Sequence, residues 1–258
     1  MLRSIGCGAL LFALYVPANP WGHVDLYPTY VAARLASEGR WDGIYHRSIW
    51  LHQGEDPAWD ARARELIQPE PLLGPSFVYH PWYLQLVRPI ADRMSYAEFR
   101  SFWIAFCKLC MVAVGWELSV LFGWRGFGPQ ALLTLLIGAA SVSRDSLQVG
   151  QNGFPALMFA LAAIVVWRSR CPLWLGGLFA GLAFICKPWC PAVLGLCFVL
   201  RGMRAGALTS LALLPAMLLL PSWLLPDAAM RDYLDLHFAM AQTSVPAFNN
   251  LSVLSVLE

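Results

Sequence analysis

Residues 99–122 read FRSFWIAFCKLCMVAVGWELSVLF, an almost uninterrupted apolar segment. An α-helix needs about 20 predominantly apolar residues to cross a bilayer, so this segment is long enough. Shorter apolar segments precede and follow it, and several of them would have to be tilted or broken to span. We therefore expect an all-α, polytopic membrane helical bundle. The other candidate spans are approximately 2–16, 130–142, 154–167, 172–186, 189–200 and 205–225.

The composition of the whole chain supports this class. Hydrophobic residues make up 58% and charged residues 13%, and the mean hydropathy is +0.55. An ordinary soluble domain has roughly 45–50% apolar and about 25% charged residues. The net charge is only +2 and the basic residues are scattered, so we expect no nucleic-acid partner. The seven cysteines fall almost entirely in apolar stretches without ligand spacing, which indicates small buried residues and neither disulfides nor a metal site.

Arginines in the short connections predict the orientation of the chain. If Arg3 is cytoplasmic, a count of seven spans places five further arginines on the same side: Arg125, Arg168, Arg170, Arg201 and Arg204. Arg144 and Lys187 then fall at outer turns. The first segment has a second interpretation as a cleaved signal peptide, with Val16-Pro-Ala18 as a loose cleavage site. Otherwise we expect a multi-pass protein of the inner (plasma) membrane.

The connection at about 18–98 is the one large extracytoplasmic loop of this topology, and it contains helix signals. A helix capped by Asp25 is predicted to run to Glu38 and to end at Gly39. Asp56-Pro57 begins a second helix. One apolar stripe of that helix suits it to lie at the membrane interface, and it consists of Trp59, Ala63, Leu66 and Ile67.

Two further helix starts lie outside this interfacial segment. Ser95-x-x-Glu98 is a capping box at the start of the long span. After the last span, Pro226-Asp227 begins an amphipathic helix. Its predicted apolar face consists of Met230, Tyr233, Leu234, His237 and Met240.

Four groups of residues occur in an order that resembles glycosyltransferase family 87. They are Asp25-Leu-Tyr-Pro-Thr-Tyr-Val-Ala-Ala33 with Glu38-Gly39, Phe77-Val-Tyr-His-Pro81 with Arg88-Pro89, Val149-Gly-Gln-Asn152, and Gly176 to Ala183 with Ile185-Cys-Lys187. The resemblance implies a C-type membrane transferase that uses a polyprenyl-phosphate-linked sugar, as the mannosyltransferases of bacterial envelope glycolipids do. It implies one transferase-like domain over 1–258. Because members of the fold usually continue through further spans, it also implies a truncated chain or a partner chain that completes the fold.

The resemblance assigns the catalytic role to Asp25, which matches the family's aspartate. Transfer requires a base that takes the proton of the acceptor hydroxyl. A single base acting from the face opposite the phosphate would invert the anomeric centre without a covalent enzyme intermediate. The structural alternative is that Asp25 only caps its helix, and one residue can do both.

The leaving lipid phosphate needs a cation, and Lys187 and Arg144 are the candidates. Lys187 lies between two apolar segments, where an ionisable side chain costs about 2.5–3.5 kcal/mol at the bilayer centre. The alternatives are a snorkelling lysine and an arginine neutralised by Asp145. Gln148, Gln151 and Asn152 are candidates for hydrogen bonds to sugar hydroxyls, or are polar helix ends. Tyr79 and His80 complete the substrate-binding candidates, with interfacial aromatics as the alternative.

We therefore expect a glycosyltransferase that moves mannose from the lipid donor to a glycolipid or glycan acceptor on the extracytoplasmic face. No cofactor is expected, and Asp56 and Asp60 are interpreted as part of a solvated helix face. A carrier or transporter of lipid-linked sugars would use the same groove and Lys187 without a base. An inactive fragment is the third alternative. Replacement of Asp25 by its amide distinguishes the transferase from the transporter.

Overall fold

The computed structural model describes residues 26–41, 44–45, 57–67, 77–140, 151–169, 171–187, 208 and 225–242. These residues form helices and no strand, which confirms the all-α prediction for this part of the chain. The helices are α1 (Tyr27–Ser37), α2 (Pro57–Ile67), α3 (Pro81–Ala91), α4 (Tyr96–Leu121), α5 (Phe127–Ala139), α6 (Gly153–Arg168), α7 (Leu173–Cys186) and α8 (Asp227–Gln242). The predicted spans at 2–16, 189–200 and 205–225 lie outside the described residues, apart from Leu208 and Leu225.

Four helices coincide with predicted spans. With 26 residues, α4 is the one described helix that is long and apolar enough to cross a membrane. The helices α5, α6 and α7 are apolar but have 13, 16 and 14 residues. Their positions agree with the segments predicted at 130–142, 154–167 and 172–186.

The chain divides into two compact units. The first, called the apolar unit below, comprises Met1–Leu26 and Ala97–Pro221 and contains α5, α6, α7 and nearly all of α4. The second, called the mixed unit, comprises Tyr27–Tyr96 and Ser222–Glu258 and contains α1, α2, α3 and α8.

In the apolar unit, α6 and α7 form an antiparallel hairpin that packs through small residues. Ala163 and Ala180 are fully buried in a cluster with Trp167, and Ile164 and Phe179 pack against it. At the connected end of the hairpin, a Cβ added at Gly176 would lie 2.9 Å from Cε2 of Trp167. Glycine at this position therefore lets the indole ring lie directly on the backbone of α7.

A second close approach joins α4 to α5. A Cβ added at Gly115 of α4 would lie 3.0 Å from the backbone nitrogen and 3.1 Å from Cα of Thr134. The Thr134 hydroxyl donates to the Gln130 carbonyl of its own helix at 2.9 Å, which satisfies this buried polar group. Small residues thus set the helix spacing at two contacts of the apolar unit.

In the mixed unit, α1 is buried on most sides and packs against α2 and α3. The Tyr30 hydroxyl donates to the Met94 carbonyl at 2.9 Å, and Arg34 Nη1 donates to the Asp92 carbonyl at 3.3 Å. Arg62 of α2 pairs with Glu38 just beyond the end of α1. The residues that follow α3 are therefore fixed to α1 by side chains that bond to their carbonyls.

Local signals predicted the helix ends well. The first helix stops before Gly39, whose φ is +75°, a left-handed conformation that glycine adopts without strain. Pro57 begins α2, and α4 begins at Tyr96, directly after Ser95. Asp25, the predicted cap of α1, lies outside the described residues.

Two predicted helix faces differ from the structure. In α2, Trp59, Ala63 and Ile67 are buried and Leu66 is half-buried, so this stripe packs inside the protein and is not open to a membrane surface. In α8, Tyr233 is buried as expected, but Leu236 and Ala229 are buried with it and Leu234 is 46% exposed. The reason is that α8 packs against α3, and this contact selects the buried face.

Candidate functional site

The open end of the α6–α7 hairpin brings two predicted site residues together. Lys187 follows the last residue of α7, and its Nζ donates to Oε1 of Gln151 at 3.5 Å. Gln151 stands two residues before the start of α6. Both side chains are half-buried, so the ammonium group is partly desolvated but accessible.

Asn152 lies beside this pair and is only 1% exposed. It is the N-cap residue of α6, yet its side chain makes no capping bond to that helix. Its Nδ2 instead donates to the Cys186 carbonyl at 3.5 Å, at the last residue of α7. The last four carbonyls of a helix lack partners within that helix, so this bond satisfies one of them.

A third helix reaches the same end of the hairpin. Cys107 of α4 is buried, and its Sγ donates to the Gln151 carbonyl at 3.8 Å. The start of α6 is therefore held from α4 on one side and from α7 on the other. This arrangement fixes the backbone of residues 151–152 and leaves the Gln151 amide to face Lys187.

The electrostatics of this end favour an anion. The first amide groups of α6, those of Gly153 and Phe154, have no acceptor within their own helix and carry the positive end of its dipole. The Lys187 ammonium, which contacts the side chain of Gln151 two residues before α6, adds a full positive charge to this end. Helix N-termini bind phosphate groups well, and a nearby ammonium group adds to the attraction of an anion. We therefore treat Gln151, Lys187 and the start of α6 as one candidate anion site.

Backbone geometry directs Lys187 toward this site. Its backbone nitrogen still donates to the Ala183 carbonyl at 2.9 Å, as in a helix. Its φ and ψ of −150° and 120° are extended, which ends α7 at Cys186. The side chain therefore leaves the helix where Pro188 follows in the sequence.

Tyr79 and His80, the other described candidates, belong to the mixed unit. His80 is 4% exposed and caps α3, since its Nδ1 accepts from the Trp82 backbone nitrogen at 3.3 Å. Its ring centroid lies 5.0 Å from that of Tyr233. The structure thus gives His80 a capping and packing role, and a contact of His80 with substrate stays a prediction.

Tyr79 is the half-buried member of an aromatic cluster. Its ring lies 5.6 Å from Phe77 and 5.1 Å from Tyr83, and its carbonyl accepts from the Tyr45 hydroxyl at 3.0 Å. Burial, followed by repulsion from the ionised form of Tyr233 and from Asp232, raises the pKa of Tyr45 well above its ordinary value. Burial also raises the pKa of Tyr233 to about 12. Both hydroxyls are therefore neutral at physiological pH.

Other candidates cannot be placed in this geometry. Asp25, Arg144 and Gln148 lie outside the described residues, as do Asp56 and the side chain of Asp60. Cys107, Cys110 and Cys186 are buried as predicted, whereas Cys171 is exposed in the connection between α6 and α7. In the described part of the chain, no three His, Cys, Asp or Glu side chains are grouped to hold a metal ion.

Sequence reasoning missed Glu117 of α4. It is 5% exposed, and within the described residues its Oε2 has no hydrogen-bond partner. An acidic residue in an apolar span was the signal that could have identified it. It lies ten residues beyond Cys107, about 15 Å along the helix axis, and so outside the anion site.

The described helices define an all-helical class in this part of the chain, with one helix long and apolar enough to cross a membrane and a candidate anion site at the end of a helix hairpin. The sequence model of glycosyltransferase family 87 matches residues 77–257, well over half of the chain. The protein therefore belongs to glycosyltransferase family 87. The matched region includes Gln151, Asn152 and Lys187, while Asp25 precedes it. No curated protein and no solved structure matches the chain.

Proposed function

We propose that the protein is a multi-pass membrane glycosyltransferase that moves mannose from a polyprenyl-phosphate donor to an envelope glycolipid or glycan on the extracytoplasmic face of the inner membrane. Family membership supplies the reaction class. The contact between Lys187 and Gln151, two residues before α6, is the observation that supports a phosphate-linked donor, because it places an ammonium group near a helix N-terminus.

In this reaction the acceptor hydroxyl attacks the anomeric carbon and the bond to the donor phosphate breaks. The hydroxyl proton passes to Asp25, and the bonding electrons leave with the lipid phosphate. Lys187 and the first amides of α6 stabilise the negative charge that develops on the departing oxygen. Attack opposite the leaving group inverts the anomeric centre. Arg144 is a second candidate for the phosphate, and the Gln151 amide can bond to a sugar hydroxyl when phosphate occupies Lys187.

Lys187 provides the test of donor binding. Lys187→Ala should lower kcat/KM for a polyprenyl-phosphate mannose donor by about 30-fold or more, since loss of a partly buried charged partner costs about 2–5 kcal/mol. Lys187→Arg should retain part of the activity, because it keeps the charge with a different geometry. The measurement is sugar transfer by the purified chain, supplied with any partner chain that it needs.

The sequence offers a matched control. Lys108 of α4 is the only other lysine, and it is also half-buried. Lys108→Ala should leave the donor KM near that of the parent protein. Equal effects of Lys108→Ala and Lys187→Ala would show that removing a lysine, and not the anion site, explains the loss.

Asp25→Asn tests the reaction itself. Asparagine caps helices about as well as aspartate but cannot take the acceptor proton, so transfer should fall by roughly 10² to 10⁴ while the melting temperature stays unchanged. Unchanged transfer with unchanged stability would limit Asp25 to capping. If the parent protein bound the lipid donor but transferred no sugar, a carrier of lipid-linked sugars would replace this proposal.

A further inference from the structure

Asn152 occupies the N-cap position of α6, but its side chain bonds to the neighbouring helix α7. Asparagine at an N-cap position commonly accepts from the second or third amide of the helix that it begins, and this bond stabilises a helix by about 1 kcal/mol. The structure shows no such bond for Asn152. Its Nδ2 donates to the Cys186 carbonyl, 34 residues along the chain.

We propose that Asn152 is a positioning residue that holds Lys187 at the anion site through the Cys186 carbonyl. This rests on the proposed function in one respect, namely that the anion is the donor phosphate. The role differs from a contact with the sugar, because a side chain that is 1% exposed does not reach a ligand.

The contacts around Asn152 explain how it acts on Lys187. The Cys186 carbonyl and the Lys187 nitrogen belong to the same planar peptide group, so fixing the carbonyl also fixes the direction in which Lys187 leaves α7. The Lys187 ammonium then meets Gln151, the residue next to Asn152. Two side-chain bonds thus join residues 151–152 to residues 186–187, the buried bond from Asn152 to Cys186 and the half-buried bond from Lys187 to Gln151.

The Asn152 side chain also leaves the start of α6 uncapped. The capping atom of an asparagine is Oδ1, and this side chain makes no capping bond to α6, while its Nδ2 donates to α7. The side chain therefore leaves the first amides of α6 to other acceptors, such as a phosphate oxygen. Asn152 therefore positions Lys187 and leaves the N-terminus of α6 open to the phosphate group.

The experiment measures binding of undecaprenyl phosphate to the purified full chain, with undecaprenol as the uncharged probe. Asn152→Leu has nearly the same size as the parent residue and no donor. It should weaken binding of the phosphate about tenfold, the value of one buried hydrogen bond, and leave undecaprenol binding unchanged. A residue that only stabilises the fold would weaken both probes alike.

A double variant tests whether Asn152 acts through Lys187. In a Lys187→Ala background, Asn152→Leu should cause no further loss of phosphate binding, because the group that it positions is gone. If the two losses multiplied instead, Asn152 would not act through Lys187 and the inference would be wrong. It would also be wrong if the parent protein bound undecaprenyl phosphate no more tightly than undecaprenol.

Asn152→Ser is a second variant in case leucine is not tolerated. Its shorter hydroxyl cannot reach the Cys186 carbonyl, so the same coupling to Lys187 is expected. Failure of both variants to fold would show that the bond is needed for the fold and would overturn the positioning role. The proposed function has its own test. It would be wrong if the parent protein bound undecaprenyl phosphate but transferred no mannose from undecaprenyl-phosphate mannose.

Discussion

Replacing Gly176 by alanine should destabilise the α6–α7 hairpin. The added Cβ would lie 2.5 Å from Cδ1 and 2.9 Å from Cε2 of Trp167, and closer still to Nε1. Real Cβ atoms do not approach other atoms this closely, so the ring must rotate or the helices must separate. Trp167 is 5% exposed and packed against Ala163 and Ala180, which leaves the ring little room to move.

Two opposing contributions decide the size of the effect. Alanine is favoured over glycine within a helix by about 1 kcal/mol. Overpacking of a filled core costs about 1–3 kcal/mol, and the upper part of this range applies because three atoms of one rigid ring are affected. We therefore expect a net loss of about 2 kcal/mol in the free energy of unfolding.

The assay is denaturation of the purified protein in detergent, followed by circular dichroism. Gly128→Ala in α5 is the control, because nothing outside its chain neighbours lies within 4 Å of a Cβ added there. Since Pro129 follows and disfavours a helical conformation for a residue with a Cβ, a small loss is expected, well below that of Gly176→Ala. If Gly176→Ala unfolded at the same denaturant concentration as Gly128→Ala, the close packing of Trp167 on α7 would be refuted.

Three further predictions concern other parts of the chain. Glu117→Met should raise the melting temperature, because it removes a buried oxygen that has no partner among the described residues; a lower melting temperature would indicate that the carboxyl group is used. The folded state keeps Tyr45 and Tyr233 protonated above their ordinary pKa, so their contribution to the free energy of unfolding should be fully present below about pH 10 and should be lost as the pH rises through about 12. Tyr233→Phe should weaken this pH dependence when stability is measured over a pH series. Reporter fusions after Gly123, Arg170 and Gly202 should report the cytoplasm and those near Gln53 and Asp227 the outside, and a cytoplasmic signal at Gln53 would contradict both the topology and the extracytoplasmic site.

The sequence predicted helix ends better than helix faces. Gly39, Pro57 and Ser95 act through their own backbone or through neighbours within a few residues, so their effects can be read locally. The buried face of α8 depends on α3, which is distant in the sequence. A stripe that includes Leu234 and one that includes Leu236 both satisfy helical periodicity, and only the packing partner decides between them.

The candidate site was predictable in part. Gln151 precedes one predicted span and Lys187 follows the next, and two consecutive antiparallel helices place these positions at the same end. The partner of Asn152 was not predictable, because a bond to a backbone carbonyl leaves no pattern of residue types. Asp25 and Arg144 stay predictions from the sequence.

The hairpin formed by α6 and α7 is held at both ends, by Trp167 on Gly176 and by Asn152 on Cys186. Removing or adding one residue between these contacts would turn the far end of the helix by about 100° and shift it by about 1.5 Å. Asn152 would then face away from Cys186, and the anion site would be lost although every residue type in it was retained. Insertions and deletions in this part of the chain can therefore be accommodated only in the connection between the two helices.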